Sequence, residues 1–253
     1  PIPPREQTYT ERDVLLYALG LGFGTDSTDR AQLPFVYEKD LKVVPTMCCV
    51  LGAAGMWLAK PDTGVDYLKV VHGEMGFSIH APLPPAGRVA ATTRVVDIFD
   101  KGADVGALIL QETQLRDAKP GQALATTNST TFARGNGGFG GQRGPSSLKS
   151  IPEDSPPDAV CDLPTLPQSA LIYRLSGDYN PLHADPDVAA KAGFPRPILH
   201  ALCTFGVAGH AILRTLCDYE PNRLTGMRVR FSAPVFPGET IRTEIWRLDD
   251  GQA

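Results

Sequence analysis

The stretch YRLSGDYNPLH, from Tyr173 to His183, brings a carboxylate, a carboxamide and an imidazole close together in sequence, at Asp178, Asn180 and His183. Gly177 and Pro181 interrupt any continuous helix, so the stretch reads as a loop that can aim all three side chains at one point. An Asp–His pair can share the proton transfers needed to add or remove water, and imidazole titrates where both directions run near neutral pH. A plainer arrangement suits the same residues: an Asx-type turn capped by the aspartate, with the histidine at the surface. On these residues alone the two readings stand level.

The other polar motifs read as structural. His200 and His210 fall on a helix-like segment with no cysteine or carboxylate cluster, so they read as packed side chains and not as metal ligands. His72, taken by itself, also reads as structural. Gly20–Gly24 follows a helical pattern and lacks a full GxGxxG, and GNGGFGG, from Gly135 to Gly141, has no following Gly-Lys-Ser/Thr. Neither is a nucleotide loop; the second reads as a close-packed turn near the substrate mouth. The five cysteines are odd in number, Cys48 and Cys49 are adjacent, and no CxxC occurs, which suggests neither a disulfide framework nor a zinc knuckle. A reducing compartment fits best.

The elements that must position the polar loop come in two copies. PTMCCVLGAAGMWLA begins at Pro45 and PILHALCTFGVAGHAIL at Pro197; APLPPAG begins at Ala81 and APVFPG at Ala233. Both pairs share one offset, the mark of an internal repeat. Val14, Leu15, Ala18 and Leu19 precede the first copy with helical spacing, and Leu171, Ile172 and Leu175 precede the second. After each APxxPG turn comes a strand-like run, at 88–99 and at 240–248. The first copy adds strand candidates at 107–116 and 122–134, joined by a turn at Lys119-Pro120-Gly121. A long apolar helix must be wrapped by a sheet. The expected fold is therefore α+β, a double hot-dog, each repeat a long central helix wrapped by an antiparallel sheet. The units expected are an N-terminal repeat over 1–150, a linker over 151–168 and a C-terminal repeat over 169–253. Glycine-rich 135–144 reads as a loop and proline-rich 152–167 as semi-rigid linker. The second copy reads as cut short, because the chain stops soon after Gly238.

Composition narrows the partners. The 253 residues are 42% hydrophobic and 21% charged, enough for a sizeable core. A net charge of -4 and a pI near 5.7 argue against a nucleic-acid binder. The apolar run from Met47 to Ala59 is too short to span a bilayer, and no signal peptide is visible.

GDYNPLH, followed by AGFPRPILHALCTFG, resembles the signature of the hydratase 2 group of the MaoC-like dehydratases. PTM, VHGE, DKG and FARGNGGFGG extend the likeness across nearly the whole chain, in family order. The resemblance implies a double hot-dog hydro-lyase that hydrates trans-2-enoyl-CoA to (3R)-3-hydroxyacyl-CoA, using neither metal nor redox cofactor. It implies that Asp178 and His183 are the acid/base pair and that Asn180 helps to hold the water. Ala201 stands where the family pattern has glycine, and its N–H would face the thioester oxygen provided its φ is negative. His72, Gly73, Lys101 and Phe231 match positions that contact the acyl-CoA. The partner expected is an acyl-CoA thioester, with no nucleic acid or membrane and with a homodimer possible; the compartment is cytoplasm or peroxisome. Two other functions fit the fold: an acyl-CoA thioesterase, and a non-catalytic acyl-CoA-binding subunit. Aligning Tyr17 with Tyr173 sets Gly22, Gly24 and Ser27 opposite Asp178, Asn180 and His183, so one active site per chain is expected.

Overall fold

The computed structural model describes residues 2–144, 155–248, 251 and 253. Strand β1 (Arg5–Tyr9) leads into helix α1 (Glu11–Gly20) and the short α2 (Leu33–Val36). Four strands follow: β2 (Val70–Ile79), β3 (Gly87–Gly102), β4 (Gly106–Asp117) and β5 (Ala123–Ala133). The second half holds β6 (Ala159–Pro164), α3 (Ser169–Tyr173), α4 (Pro186–Lys191), α5 (Ala201–Thr215), β7 (Gly226–Arg230) and β8 (Thr240–Ile245). The strands expected after each APxxPG turn are present: β3 starts one residue early and ends three late, and β8 starts as expected and ends three early. No helix among the described residues is long and apolar enough to cross a membrane.

One antiparallel sheet, in the order β1-β3-β4-β5-β2-β7, joins the two repeats, because β7 of the second pairs with β2 of the first. Glu74 of β2 reinforces that seam: it is buried and accepts from Arg228 (3.1 Å) and Arg230 (2.8 Å) of β7. The remaining two strands, β6 and β8, pair with each other.

Helix α5 is the centre of the core, buried through Cys203, Phe205, Val207, Ala211 and Leu213. Phe205 meets Phe77 of β2 edge-on, with centroids 5.9 Å apart. Two glycines let the first repeat seat directly on the helix. A Cβ on Gly206 would lie 2.5 Å from Leu21, and one on Gly209 would lie 2.7 Å from Thr46. Any larger residue there would push the repeats apart.

Two expectations are corrected. The segment from Pro45 is no long helix in the first repeat. It makes a single 3-10 turn, Pro45–Cys49, and then leaves helical geometry, with Gly52 and Gly55 at φ of 61° and 68°. Each glycine weakens a helix by roughly 1 kcal/mol, and the intervening alanines offer little to bury. Met56, further along, is 59% exposed. The proline-rich stretch is also not all linker. Its later part forms β6, whose alternating Cys161 and Leu163 are buried; residues 152–154 lie outside the described residues.

His210 locks the end of α1 to α5. Its ring stacks on Phe23 at 3.6 Å, its Nδ1–H donates to the Leu21 carbonyl, and its Nε2 accepts from the Tyr219 hydroxyl. Burial pulls its pKa down from 6.5 to about 4, so the folded state holds it neutral. Unfolding therefore takes up a proton between those values, and this contribution is whole above pH 6.5 and lost as pH falls toward 4. Lowering pH from 7 to 5 is expected to remove roughly 2 kcal/mol on this account. Denaturant unfolding of the wild type and His210→Phe checks it. The substitution should flatten the pH dependence by that amount, and identical dependences would contradict the assignment.

Candidate active site

Helix α3 runs into a 3-10 turn, Arg174–Ser176, which ends at Gly177 with φ of 123°. That turn ejects the chain into the loop that carries Asp178. Asp178 Oδ1 accepts from the Asn180 N–H (3.1 Å), and Asn180 Oδ1 caps the next turn by accepting from Leu182 N–H (3.1 Å). The Asx turn is therefore real, and it serves as the scaffold of the cluster. Since the cap uses the Asn180 oxygen, its amide NH2 is the part left for a ligand.

His183 is not at the surface; it is 8% exposed. Its Nδ1 lies 2.9 Å from the Ile198 carbonyl, which can only accept, so Nδ1 carries the hydrogen and Nε2 keeps its lone pair. Against His183 lies His200, the rings stacked with centroids 3.7 Å apart. His200 Nε2–H donates to the Asp178 backbone carbonyl (3.1 Å). Burial, and then the neighbouring His183, lower the His200 pKa to about 4, so it stays neutral beside its partner. Residue-type reading placed His200 among packed histidines. It is packed, but against the Asp178–His183 loop, a relation only the fold supplies.

Asp178, His183 and His200 each bring a polar atom within 4.8 Å of the others. Among the described residues this is the one group spaced to suit a metal ion. Within it, His183 Nδ1 and His200 Nε2 already donate to backbone carbonyls, which leaves one ring nitrogen on each.

Ala201 is the first residue of α5, with His200 as its N-cap. It is absent from the residues with positive φ, so its methyl is accommodated. Its N–H has no acceptor among the described residues, as expected for the first turn of a helix, and it carries the positive end of the helix dipole.

The first repeat supplies the opposite wall. Gly73 forms a bulge in β2, and its carbonyl accepts from Phe231 N–H (2.9 Å). The His72 ring lies 5.0 Å from that of Phe231, and its buried Nε2 has no partner. Burial lowers the His72 pKa, with the Asp178 charge opposing. Asp178 likewise adds to burial in raising the Tyr67 pKa. His72, Gly73 and Phe231 thus meet at the seam, and His72 lies close enough to Asp178 to feel its charge. Lys101 does not join them. It lies at the end of β3, where its Nζ donates to the Arg143 carbonyl.

Beside the loop is a cavity of about 220 Å³ walled by Leu16, Met47, Val50, Leu51 and Leu175, with Ser176, Gly177 and Tyr179 on either side of Asp178. Gln7 and Asp13 complete its lining.

Residues 7–135 match the model of the MFE-2 hydratase 2 N-terminal domain, and residues 149–253 that of the MaoC like domain. The chain is 44% identical to "Enoyl-CoA hydratase ChsH3" of Mycobacterium tuberculosis, across 97% of this chain and 86% of the relative. It is 34% identical to the solved full-length peroxisomal multifunctional enzyme type 2 of Drosophila melanogaster. That match has a TM-score of 0.82 and covers 97% of this chain but 43% of that one. A Mycobacterium tuberculosis protein described as a double hotdog fold superposes with a TM-score of 0.56 at 14% identity, covering 94% and 80% of the two chains; this likeness concerns the fold alone.

Proposed function

The chain belongs to the MaoC-like hydratases of the MFE-2 hydratase 2 type, and from that membership we propose that it hydrates trans-2-enoyl-CoA to (3R)-3-hydroxyacyl-CoA at one site per chain. It is a hydro-lyase of fatty-acid metabolism. The observation that carries the site assignment is the juxtaposition of Asp178 and His183 with the free N–H at the start of α5.

The thioester carbonyl makes C3 of the conjugated double bond electrophilic. A carbonyl oxygen placed at the Ala201 N–H meets a donor and a helix N-terminus together, and both stabilise the enolate-like charge that builds during attack. Water sits between the Asp178 carboxylate, the Asn180 NH2 and the His183 Nε2. The pair removes one proton from that water and supplies one to C2. His72 of the first repeat and Phe231 of the second close the seam side, and the Lys101 end receives the coenzyme. At the positions matching Asp178, Asn180 and His183 the first repeat has Gly22, Gly24 and Ser27. We place the reaction in cytoplasm or peroxisome, the latter supported by the peroxisomal relative.

In this reading the first repeat gives up its central helix to hold the acyl tail, and the 220 Å³ cavity beside Asp178 supports it. Gly52, a natural place to fill space, is unsuitable, because a Cβ there would lie 2.5 Å from that of Ala91; Val50→Phe is the better plug. For a series of enoyl-CoA substrates from four carbons upward, kcat/KM should rise by up to about fourfold per methylene, about 0.8 kcal/mol each, until the cavity fills. Val50→Phe should stop the rise earlier, and chiral analysis should find the (3R) product throughout. A flat series indifferent to Val50→Phe refutes the tail site, and (3S) product refutes the stereochemical assignment.

A further inference from the structure

His200 is 1% exposed, and its side chain makes a single hydrogen bond among the described residues. Nε2–H donates to the Asp178 carbonyl (3.1 Å), while the buried Nδ1 meets no partner. A buried nitrogen left unpaired costs stability. An apolar ring of similar size would fill the space without that cost. Packing alone therefore gives no reason for an imidazole here, and the bond to Asp178 does.

The loop has little else to hold its first half. Gly177 has a φ of 123°, with nothing within 4 Å of where a Cβ would sit, so the chain can pivot just before Asp178. Tyr179, just after it, is 58% exposed. Among the described residues no backbone N–H reaches the Asp178 carbonyl, and the bonds of Asn180 and Leu182 N–H stay within the loop. Two anchors reach it from one short segment. The Ile198 carbonyl accepts from His183 Nδ1–H at the far end, and His200 takes the near end. That segment is itself fixed, since Leu199 is buried and its N–H donates to the Val235 carbonyl (2.7 Å).

The same residue touches the other parts of the site. Its ring stacks on His183, with planes 27° apart, and lies 5.1 Å from the ring of Tyr173 on α3. Its backbone is the N-cap of α5, so the next N–H in the chain is that of Ala201. Asp178, His183 and the amide assigned to the thioester oxygen are thus joined through one side chain and one peptide. Burial and the neighbouring His183 keep the ring neutral, so it sets no second positive charge against His183 when that ring takes a proton.

We propose that His200 is a positioning residue whose Nε2–H ties the Asp178 loop to the start of α5, and so fixes the spacing between the acid/base pair and the thioester-binding amide. The proposal rests on the hydratase reading and adds His200 to it. His200→Phe keeps a flat ring against His183 but removes the donor, and should lower kcat roughly 10- to 100-fold with KM within about twofold. His200→Gln returns an N–H near the same place and should bring kcat back to within about threefold of wild type. Phenylalanine suits the buried site better than glutamine, so a residue that mattered only for stability would give the opposite order. Full kcat in His200→Phe, or an equal loss in both variants, overturns the proposal. A second readout needs no turnover. Amide exchange at Asn180 and Leu182 should quicken about tenfold in His200→Phe while exchange within α5 keeps its wild-type rate. Unchanged exchange in the loop, or equal quickening in both places, counts against the tether. Should neither variant fold, nitrogen NMR of the wild type decides: His200 should be the Nε2–H tautomer, and the Nδ1–H tautomer would leave the Asp178 carbonyl without its donor and overturn the proposal. A wild type that hydrates no enoyl-CoA contradicts the hydratase reading, while the exchange rates and the tautomer still test the tether.

Discussion

Asp178→Asn and His183→Gln are each expected to lower kcat for enoyl-CoA hydration by about 10²–10⁴-fold, the usual contribution of a positioned acid or base. The local structure makes this a clean experiment. Asparagine at position 178 keeps the oxygen that accepts from the Asn180 N–H, so the turn survives while the carboxylate's basicity is lost. Glutamine at 183 removes the Nε2 lone pair that the Ile198 hydrogen bond leaves facing the site. The double variant should lose little more than either single one, because groups acting as a unit are not additive. Near-wild-type kcat in either, with an unchanged circular dichroism spectrum, would refute the pair.

Ala201→Pro is expected to cost about 10²–10³-fold in kcat, the typical value of one oxyanion donor. Proline usually disrupts a helix, but Ala201 is the first residue of α5, where the N–H has no intrahelical partner and proline is well tolerated. The residue before it must be extended, and His200 already has φ −60° and ψ 135°. The substitution thus removes a donor while leaving the backbone its present path. Ala201→Gly should stay near wild type, since the N–H remains. A folded Ala201→Pro enzyme with full kcat would remove the thioester contact from this amide.

The meander, the repeat and the polar loop at Asp178 were legible in the sequence for one reason: each rests on local signals. Alternation marks β3 to β5, paired glycine–proline turns mark the repeat, and Gly177 and Pro181 mark the loop. What escaped depends on partners distant in the chain. The apolar segment at Pro45 has the composition of a core helix, but Gly52 packs on Ala91 and needs a left-handed backbone. Strand β6 hides among prolines because its partner, β8, lies some 80 residues on. The role of His200 comes from a stack on His183 and a bond to the Asp178 carbonyl. Asp100 gathers three glycine amides that lie up to 40 residues away in the chain.

The most direct test of the hydratase assignment follows the absorbance of the conjugated enoyl thioester in the presence of a thiol reagent, for wild type and Asp178→Asn alike. Hydration at Asp178 and His183 predicts that the wild type removes the band without releasing thiol, and that the variant does so about 10²–10⁴-fold more slowly. Thiol release in step with loss of the band would make the protein a thioesterase, and an unchanged band with the wild type would make it a binding module; either result contradicts hydration at this site.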